Sequence, residues 1–472
     1  MKNNKEALTW GGVFLFLYLL VYGLLLCRFS LHWDEILDYQ GQACDTYIAA
    51  GRWGLYAYRF LMGEGAYPIL AGLVSGVYIS LALVVQIHLL ELRSACVKLL
   101  YAALYISCIQ WASQLIYSMQ CDAVAFGLLC ATLSVFALNK SKWLLAGIAL
   151  TVSLGTYQTC GLYFLCLLLS VSLFQKNGSI RHWTIYGGVI LLSLGAYAFI
   201  NLAMKSSPLL SVASMEYMRM VQADLNQWAT FVALPLFDKV IFACHYCKVV
   251  LLNALGVGNH THWLYGSAVI PLALLCWRLW KQERGLLLWL KLTALLTIWI
   301  APFALTLVMG REMELRTALA APLSLAALWA LAFKEGNWNR KTQYSAIVVC
   351  CVLLLKSAYT VSACARDEAH DYSVALQEIA RMHAAAFAVA DCDAVSSIIV
   401  VGKLDRSCRS PHTLFFRNGT FDWYARHYHW SQMKYMAEVP VRHQNLYQAM
   451  PVWPALGSVR LNAGEVIIRI AD

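Results

Sequence analysis

Charge is what this chain has least of. Of 472 residues, 13% are Asp, Glu, Lys or Arg and 60% are hydrophobic. A soluble domain carries roughly 25% charged and roughly 45–50% apolar residues, so a soluble globular fold is excluded. Nucleotide and hydrolase signatures are missing as well. The chain has no G-x-x-x-x-G-K-[ST], no G-x-G-x-x-G and no G-x-S-x-G, so ATP-driven transport and hydrolase chemistry lack their usual marks. It has no internal repeat of fixed period and no low-complexity segment. His260-x-His262 and His427-x-His429 lack a partner at a recognised zinc spacing.

What is present is a series of apolar runs, at roughly 8–27, 67–90, 97–116, 122–138, 143–156, 158–174, 183–203, 264–280, 286–309, 316–333 and 342–362. Each is near the roughly 20 residues that a bilayer core requires. The expected fold is therefore an all-α polytopic membrane protein of about 11 helices. The first run is too long, and too poorly followed by a small-residue cleavage site, for a removed signal peptide, so it is expected to stay as the first helix. The apolar stretch from Trp143 to Phe174 is interrupted at Gly155–Thr159. It reads as two short helices meeting at a tip. Val240–Val257 is apolar enough to cross, but crossing would upset the charge pattern, so it reads as interfacial or re-entrant.

The charge pattern orients the chain. Lys2/Lys5, Arg93/Lys98, Lys140/Lys142, Lys176/Arg181, Arg278/Lys281/Arg284 and Lys334/Arg340/Lys341 all fall on one side, which the positive-inside rule makes the cytoplasm. The net charge of +10 comes wholly from this part, because the residues from Ala363 onward hold 11 basic and 11 acidic side chains. It is a membrane signal, not a nucleic-acid one. Most of the 16 cysteines lie in apolar runs, where Cys behaves as a small hydrophobe. Cys392 and Cys408 could pair if the tail is extracytoplasmic.

Beyond Ser362 the composition changes: 22 of the last 110 residues are charged. Arg366–Ala390 has helical spacing, with Tyr372, Leu376, Ile379 and Met382 on one face, while Ser397–Gly402 and Glu465–Ile470 read as strands. Two domains are expected: a membrane domain over 1–362 and a small extracytoplasmic α/β domain over 363–472.

Acidic residues of the membrane part gather at the outer ends of spans. Asp34, Glu35, Asp38 and Asp45 follow the first run, and charge at a membrane boundary commonly marks function. A carboxylate there could act as general base on an acceptor hydroxyl, or bind a divalent ion such as Mg or Mn that neutralises a phosphate leaving group. The competing reading is solvated loop charge. Asp38, four residues after Asp34, would share its face on a helix. Asp122 opens the fourth run and could cap its helix or join Asp34 around a donor. Arg52 and Arg59, seven apart, and Arg311 with Arg316 could grip a phosphate through their planar forks, although snorkelling and a self-neutralised loop are the plainer readings. Tyr157 and Gln158 could line a cavity or satisfy the backbone of the broken helix.

The order of these features resembles the GtrII-type glucosyltransferases of the wider GT-C class. The shared features are Trp33-Asp34-Glu35 in the first outer loop, Gly51-Arg-Trp, the Tyr157-Gln158 pair, and Gly310–Arg316 before Thr317-Ala-Leu-Ala-Ala-Pro. The resemblance covers roughly 8–335. It implies a base in the first outer loop, with Asp34 as first choice and Glu35 as alternate or metal partner, since the family's pattern has two aspartates where this chain has Asp-Glu. It implies transfer of a sugar, with glucose the expected one, from a polyprenyl-phosphate donor to a surface glycan or lipid-linked acceptor such as O-antigen. It further implies a bacterial inner membrane with the active site and C-terminal domain in the periplasm. The lipid bilayer, a flippase and a donor-synthesising enzyme are the other expected partners. A lipid-phosphate donor is already activated, so no ATP site is required, and a divalent cation (Mg or Mn) stays open as a cofactor. Rival readings are an O-antigen polymerase or ligase, which leans on outer-loop Arg and His, and a lipid-sugar flippase, which would call for two similar halves and mid-span charge.

Overall fold

The computed structural model describes residues 2–27, 44–63, 68–173, 180–206, 235–241, 262–305, 315–334, 339–389, 397–401, 433–436, 448–462 and 465–469. Asp34, Glu35, Asp38, Arg311, Cys392, Cys408, His260, His427, His429 and nearly all of 240–257 lie outside the described residues. The described residues divide into two compact units, one ending at 362 and the other beginning at 363.

The first unit is helical: α1 (Lys2–Cys27), α2 (Cys44–Ala49), α3 (Trp53–Met62), α4 (Pro68–Leu89), α5 (Ala95–Ile106), α6 (Gln110–Leu115), α7 (Cys121–Asn139), α8 (Trp143–Thr156), α9 (Cys160–Ser172), α10 (Ile180–Lys205), α11 (His262–Gly266), α12 (Val269–Gln282), α13 (Gly285–Ile300), α14 (Ala320–Lys334) and, as far as residue 362, α15 (Arg340–Val389). Among the described residues, six helices are long and apolar enough to cross a membrane: α1, α4, α7, α10, α13 with the turn after it, and α15. The expected number of about 11 is not reached by length. The runs at α5, α8, α9 and α14 form apolar helices of 10–17 residues. Helix α7 packs on α4 and α8, α1 on α4, α8 on α10, and α14 on α5 and α9.

The run 97–116, expected as one span, is instead broken at 107–109. No Gly or Pro marks this break in sequence. Its exposed carbonyls are taken up by side chains from elsewhere, as a backbone in an apolar medium requires. Tyr22 donates to the carbonyls of Ile106 (2.5 Å) and Cys108 (3.1 Å), Trp111 Nε1 to that of Tyr105 (3.0 Å), and Ser357 Oγ to that of Ser107 (3.1 Å). From the break onward the chain stays inside: every residue from Tyr101 to Ala125 is buried. A second polar knot ties α4, α5, α7 and α9. Gln86 accepts from Tyr101 (2.6 Å) and donates to Thr132 (3.3 Å) and Tyr163, whose hydroxyl also meets that of Tyr105 (2.8 Å).

The expected interruption near Gly155 is present, since α8 ends at Thr156 and α9 starts at Cys160. Another boundary differs. The span at 342–362 and the helix at 366–390 are one continuous helix, α15. The rise in charge beyond Ser362 carries no helix breaker, so helical hydrogen bonding continues through it. Lys291, within α13, pairs with Glu283 at 2.5 Å.

In the second unit, Tyr372 and Met382 on α15 are buried, as their spacing requires. The sheet has strands β1 (Ser397–Val401), β2 (Met433–Met436), β3 (Val459–Asn462) and β4 (Glu465–Arg469), ordered β2-β1-β4-β3. β1 lies parallel to β2 and β4, and β3 is antiparallel to β4. Ile399, Val401, Ile467 and Met450 form its core.

Candidate functional site

Helix α7 runs from Asp122 to its far end at Asn139, and α8 returns from Trp143 to Thr156, so Asp122 and Tyr157 share one end of the bundle and Lys140 and Lys142 the other. The end bearing Asp122 is organised around Gly51-Arg-Trp-Gly54, and each of the four residues has a local reason.

Helix α2 closes on Gly51, whose φ of +75° suits a residue without Cβ. A Cβ there would stand 2.8 Å from the Tyr197 hydroxyl. That hydroxyl donates to the Gly51 carbonyl at 3.1 Å, and Gln158 Nε2 donates to Tyr197 (3.2 Å) and to the Ala50 carbonyl (2.8 Å). Arg52 opens α3, lays its guanidinium 4.6 Å over the Tyr157 ring and reaches Gln120 Oε1 at 3.3 Å. Trp53 lies flat on Gly155, where a Cβ would strike its indole. Gly54 approaches the same place from α3: a Cβ on it would meet the Gly155 carbonyl carbon and the Thr156 nitrogen at 2.8 Å. The motif therefore docks α3 onto the break between α8 and α9.

Two turns further along α3, Arg59 forms an ion pair with Asp122. Both are nearly sealed, at 3% and 4% exposure. Asp122 also accepts from the Ala123 N–H (2.9 Å), and Arg59 reaches the Ser118 carbonyl (3.5 Å). A cap role for Asp122 does not hold, because Gln120 occupies the cap position and Asp122 lies in the first turn facing Arg59. Beside the pair, Tyr47, Leu55, Tyr58 and Ala123 make an apolar cluster. Burial, aided by the Asp122 charge, pushes the Tyr58 phenol above its ordinary value, so it stays neutral. On the other flank Arg316 stacks 3.7 Å over the Tyr117 ring.

Three arginines thus converge on the buried segment Tyr117–Asp122, one from the start of α3, one from its last turn and one from residues 315–317. Of the candidates named from sequence, Arg52, Asp122, Tyr157, Gln158 and Arg316 meet here; Asp34, Glu35, Asp38 and Arg311 lie outside the described residues. Sequence reasoning missed Tyr117, Gln120 and Tyr197. Gln120 lies two residues before Asp122, a candidate named from sequence, but Tyr197, inside an apolar run, offers no sequence signal. Several buried polar atoms have no hydrogen-bond partner among the described residues: Arg52 Nε, Trp53 Nε1 and Asn201 Oδ1. The last is 3.3 Å from the Gly51 Cβ position. Two donors and an acceptor around one glycine turn suit a ligand whose hydroxyls both give and take hydrogen bonds. Among the described residues no three His, Cys, Asp or Glu side chains gather as a metal site would need.

Comparison with known families gives a match to the family described as glucosyl transferase GtrII, over residues 22–333. The chain belongs to the GtrII glucosyl transferase family. It is thus a membrane-type glucosyltransferase by family, and the matched region contains every arginine, tyrosine and acid of the cluster above. The GtrII match ends one residue short of the end of α14, so α15 and the sheet lie beyond it. A search of curated proteins found no match.

Proposed function

We propose that this protein transfers glucose from a polyprenyl-phosphate donor to a surface glycan such as O-antigen, on the periplasmic side of a bacterial inner membrane. Asp34 is the general base and Glu35 its alternate. The base removes the proton from an acceptor hydroxyl, whose oxygen attacks the anomeric carbon. The bond from that carbon to the phosphate oxygen breaks, and polyprenyl phosphate leaves with the electron pair. Arg52, Arg311 and Arg316 offset the phosphate charge as it develops, a task suited to fixed guanidinium groups in a low-dielectric site. Asp38 supports the acidic loop, and Tyr157, Gln158 and the Arg59–Asp122 pair hold Arg52 and its neighbours in place. The residues over 363–472 face the periplasm as well.

The observation that carries this reading is the convergence of Arg52, Arg59 and Arg316 on Tyr117–Asp122, within a chain whose family is glucosyl transferase. The acidic stretch with Asp34 joins α1 to α2, the helix that leads into Gly51-Arg52. The test is transfer by purified protein from labelled polyprenyl-phosphate glucose, with Asp34→Asn, Glu35→Gln and the double variant beside wild type. Loss of transfer in the double variant is expected, because general-base removal commonly costs about 10²–10⁴-fold. Wild-type transfer by all three variants would overturn the assignment.

A further inference from the structure

Two adjoining hollows lie along α5, the smaller of them at the end of the bundle away from Asp122. The smaller, of about 360 Å³, is the more polar of the two and includes Glu91, Arg93, Ser94, Lys334 and Gln343 in its wall. The larger, of about 550 Å³, lies among α5, α11, α14 and α15. Leu100, Phe333 and Ala346 line both, so the two share a wall.

The larger hollow has little to offer water. Most of its hydroxyl groups are already spent: Ser345 donates to the Lys341 carbonyl (3.0 Å), Thr360 to that of Lys356 (3.0 Å) and Ser357 to that of Ser107 (3.1 Å), while Ser107 Oγ has no hydrogen-bond partner among the described residues and Lys356 adds one cation to the wall. Ser267 Oγ accepts from Trp329 Nε1 at 3.2 Å. A cavity so lined in a membrane protein favours hydrocarbon, since buried water needs two to four polar partners. The smaller hollow has the opposite character. Lys334 contacts Glu91 only loosely, at 3.6 Å, and Glu91 is largely exposed. Arg93 is exposed at the rim. Of the three charged groups in its wall, two are cationic. The length of α5 separates Ser94 at the polar pocket from Ser107 in the apolar one, about 18 Å at the helical rise per residue. Basic pockets between membrane helices recognise anionic lipid head groups.

We propose that these adjoining hollows hold one anionic glycerophospholipid of the bilayer, its phosphate at Arg93 and Lys334 and one acyl chain along α5, α14 and α15. Its polar part lies at the end away from Asp122, none of its lining residues belongs to the Arg52–Asp122 cluster, and it uses α15, which the family match does not reach. Charge complementarity selects the head group, and the apolar side chains of the larger hollow select the chain.

The experiment is native mass spectrometry of the delipidated full-length protein in detergent, with phosphatidylglycerol, phosphatidylethanolamine and polyprenyl phosphate added separately. One phosphatidylglycerol per chain is expected, retained about tenfold more strongly than the other two lipids. Arg93→Gln with Lys334→Gln should lower that retention about tenfold, and Ala346→Trp, which fills the shared wall, should lower it too. Lys140→Gln, at the same end but outside the hollows, should leave it unchanged. Arg93→Gln alone changes an exposed side chain and keeps the test valid if the double variant folds poorly. Equal retention of phosphatidylethanolamine, or indifference to Arg93→Gln and the double variant, would overturn the proposal. So would preferred retention of polyprenyl phosphate that is sensitive to Lys356→Gln, a residue lining the apolar hollow near Ser107. None of these outcomes reads sugar transfer, so the proposed activity stands or falls separately.

Discussion

The two ends of the membrane bundle use charge in opposite ways. At one end Arg59 and Asp122 are sealed together, Arg52 lies on Tyr157, and Arg316 lies on Tyr117. At the other, Lys98 meets Glu6 at 2.7 Å and Lys334 meets Glu91 at 3.6 Å, with both glutamates mostly exposed. Exposed pairs of this kind are screened and cost little to lose. A sealed pair is different: each charge has given up its water, and each depends on the other. An end built that way is expensive to keep, and function is the reason such arrangements persist in membranes.

The comparison can be broken most severely at Asp122. Asp122→Ala leaves Arg59 buried and unpaired, and should cost about 3–5 kcal/mol, read as a lowered unfolding midpoint in detergent. The double variant Arg59→Met with Asp122→Leu should recover most of that loss. A single variant as stable as wild type would show that the pair is not sealed. Gly54→Ala comes next. Its new Cβ would meet the backbone of Gly155 and Thr156, which cannot swing aside, so a loss of about 1–3 kcal/mol is expected in the same measurement. Tyr22→Phe removes the donor shared by two carbonyls at the break after α5 and should cost about 1–2 kcal/mol. The smallest effect belongs to the other end, where Glu91→Gln should change stability by less than about 1 kcal/mol. If Glu91→Gln matched Asp122→Ala, the contrast between the ends would be lost.

Much of this was visible in the sequence. Apolar run length located the helices, and the polar interruption after Gly155 located the tip at Tyr157-Gln158. Arg52, Asp122 and Arg316 stood out because charge is rare in this chain. The break at 107–109 was not visible, because the residues that make it tolerable, Tyr22 and Ser357, are 85 and 250 positions from the carbonyls of Ser107 and its neighbours. Gln120 and Tyr197 carry no charge and sit in apolar surroundings, so only packing reveals them. The continuity of α15 was missed because a change in composition was taken for a change in structure, whereas backbone hydrogen bonding needs only the absence of breakers. The family resemblance rested on the order of short motifs, and the match over 22–333 supports the family while the roles of Asp34 and Glu35 stay with the proposal.

The most direct test of the central claim, that the Arg52–Asp122 end is where sugar moves, compares one cation from each end. Purified Arg52→Ala and Lys140→Gln, matched for folded fraction, are assayed for transfer from labelled polyprenyl-phosphate glucose. Removing a fixed stabiliser of developing charge commonly costs about a hundredfold, so Arg52→Ala should fall by that order while Lys140→Gln keeps the wild-type rate. Equal rates for Arg52→Ala and wild type, or a larger loss in Lys140→Gln, would contradict the account.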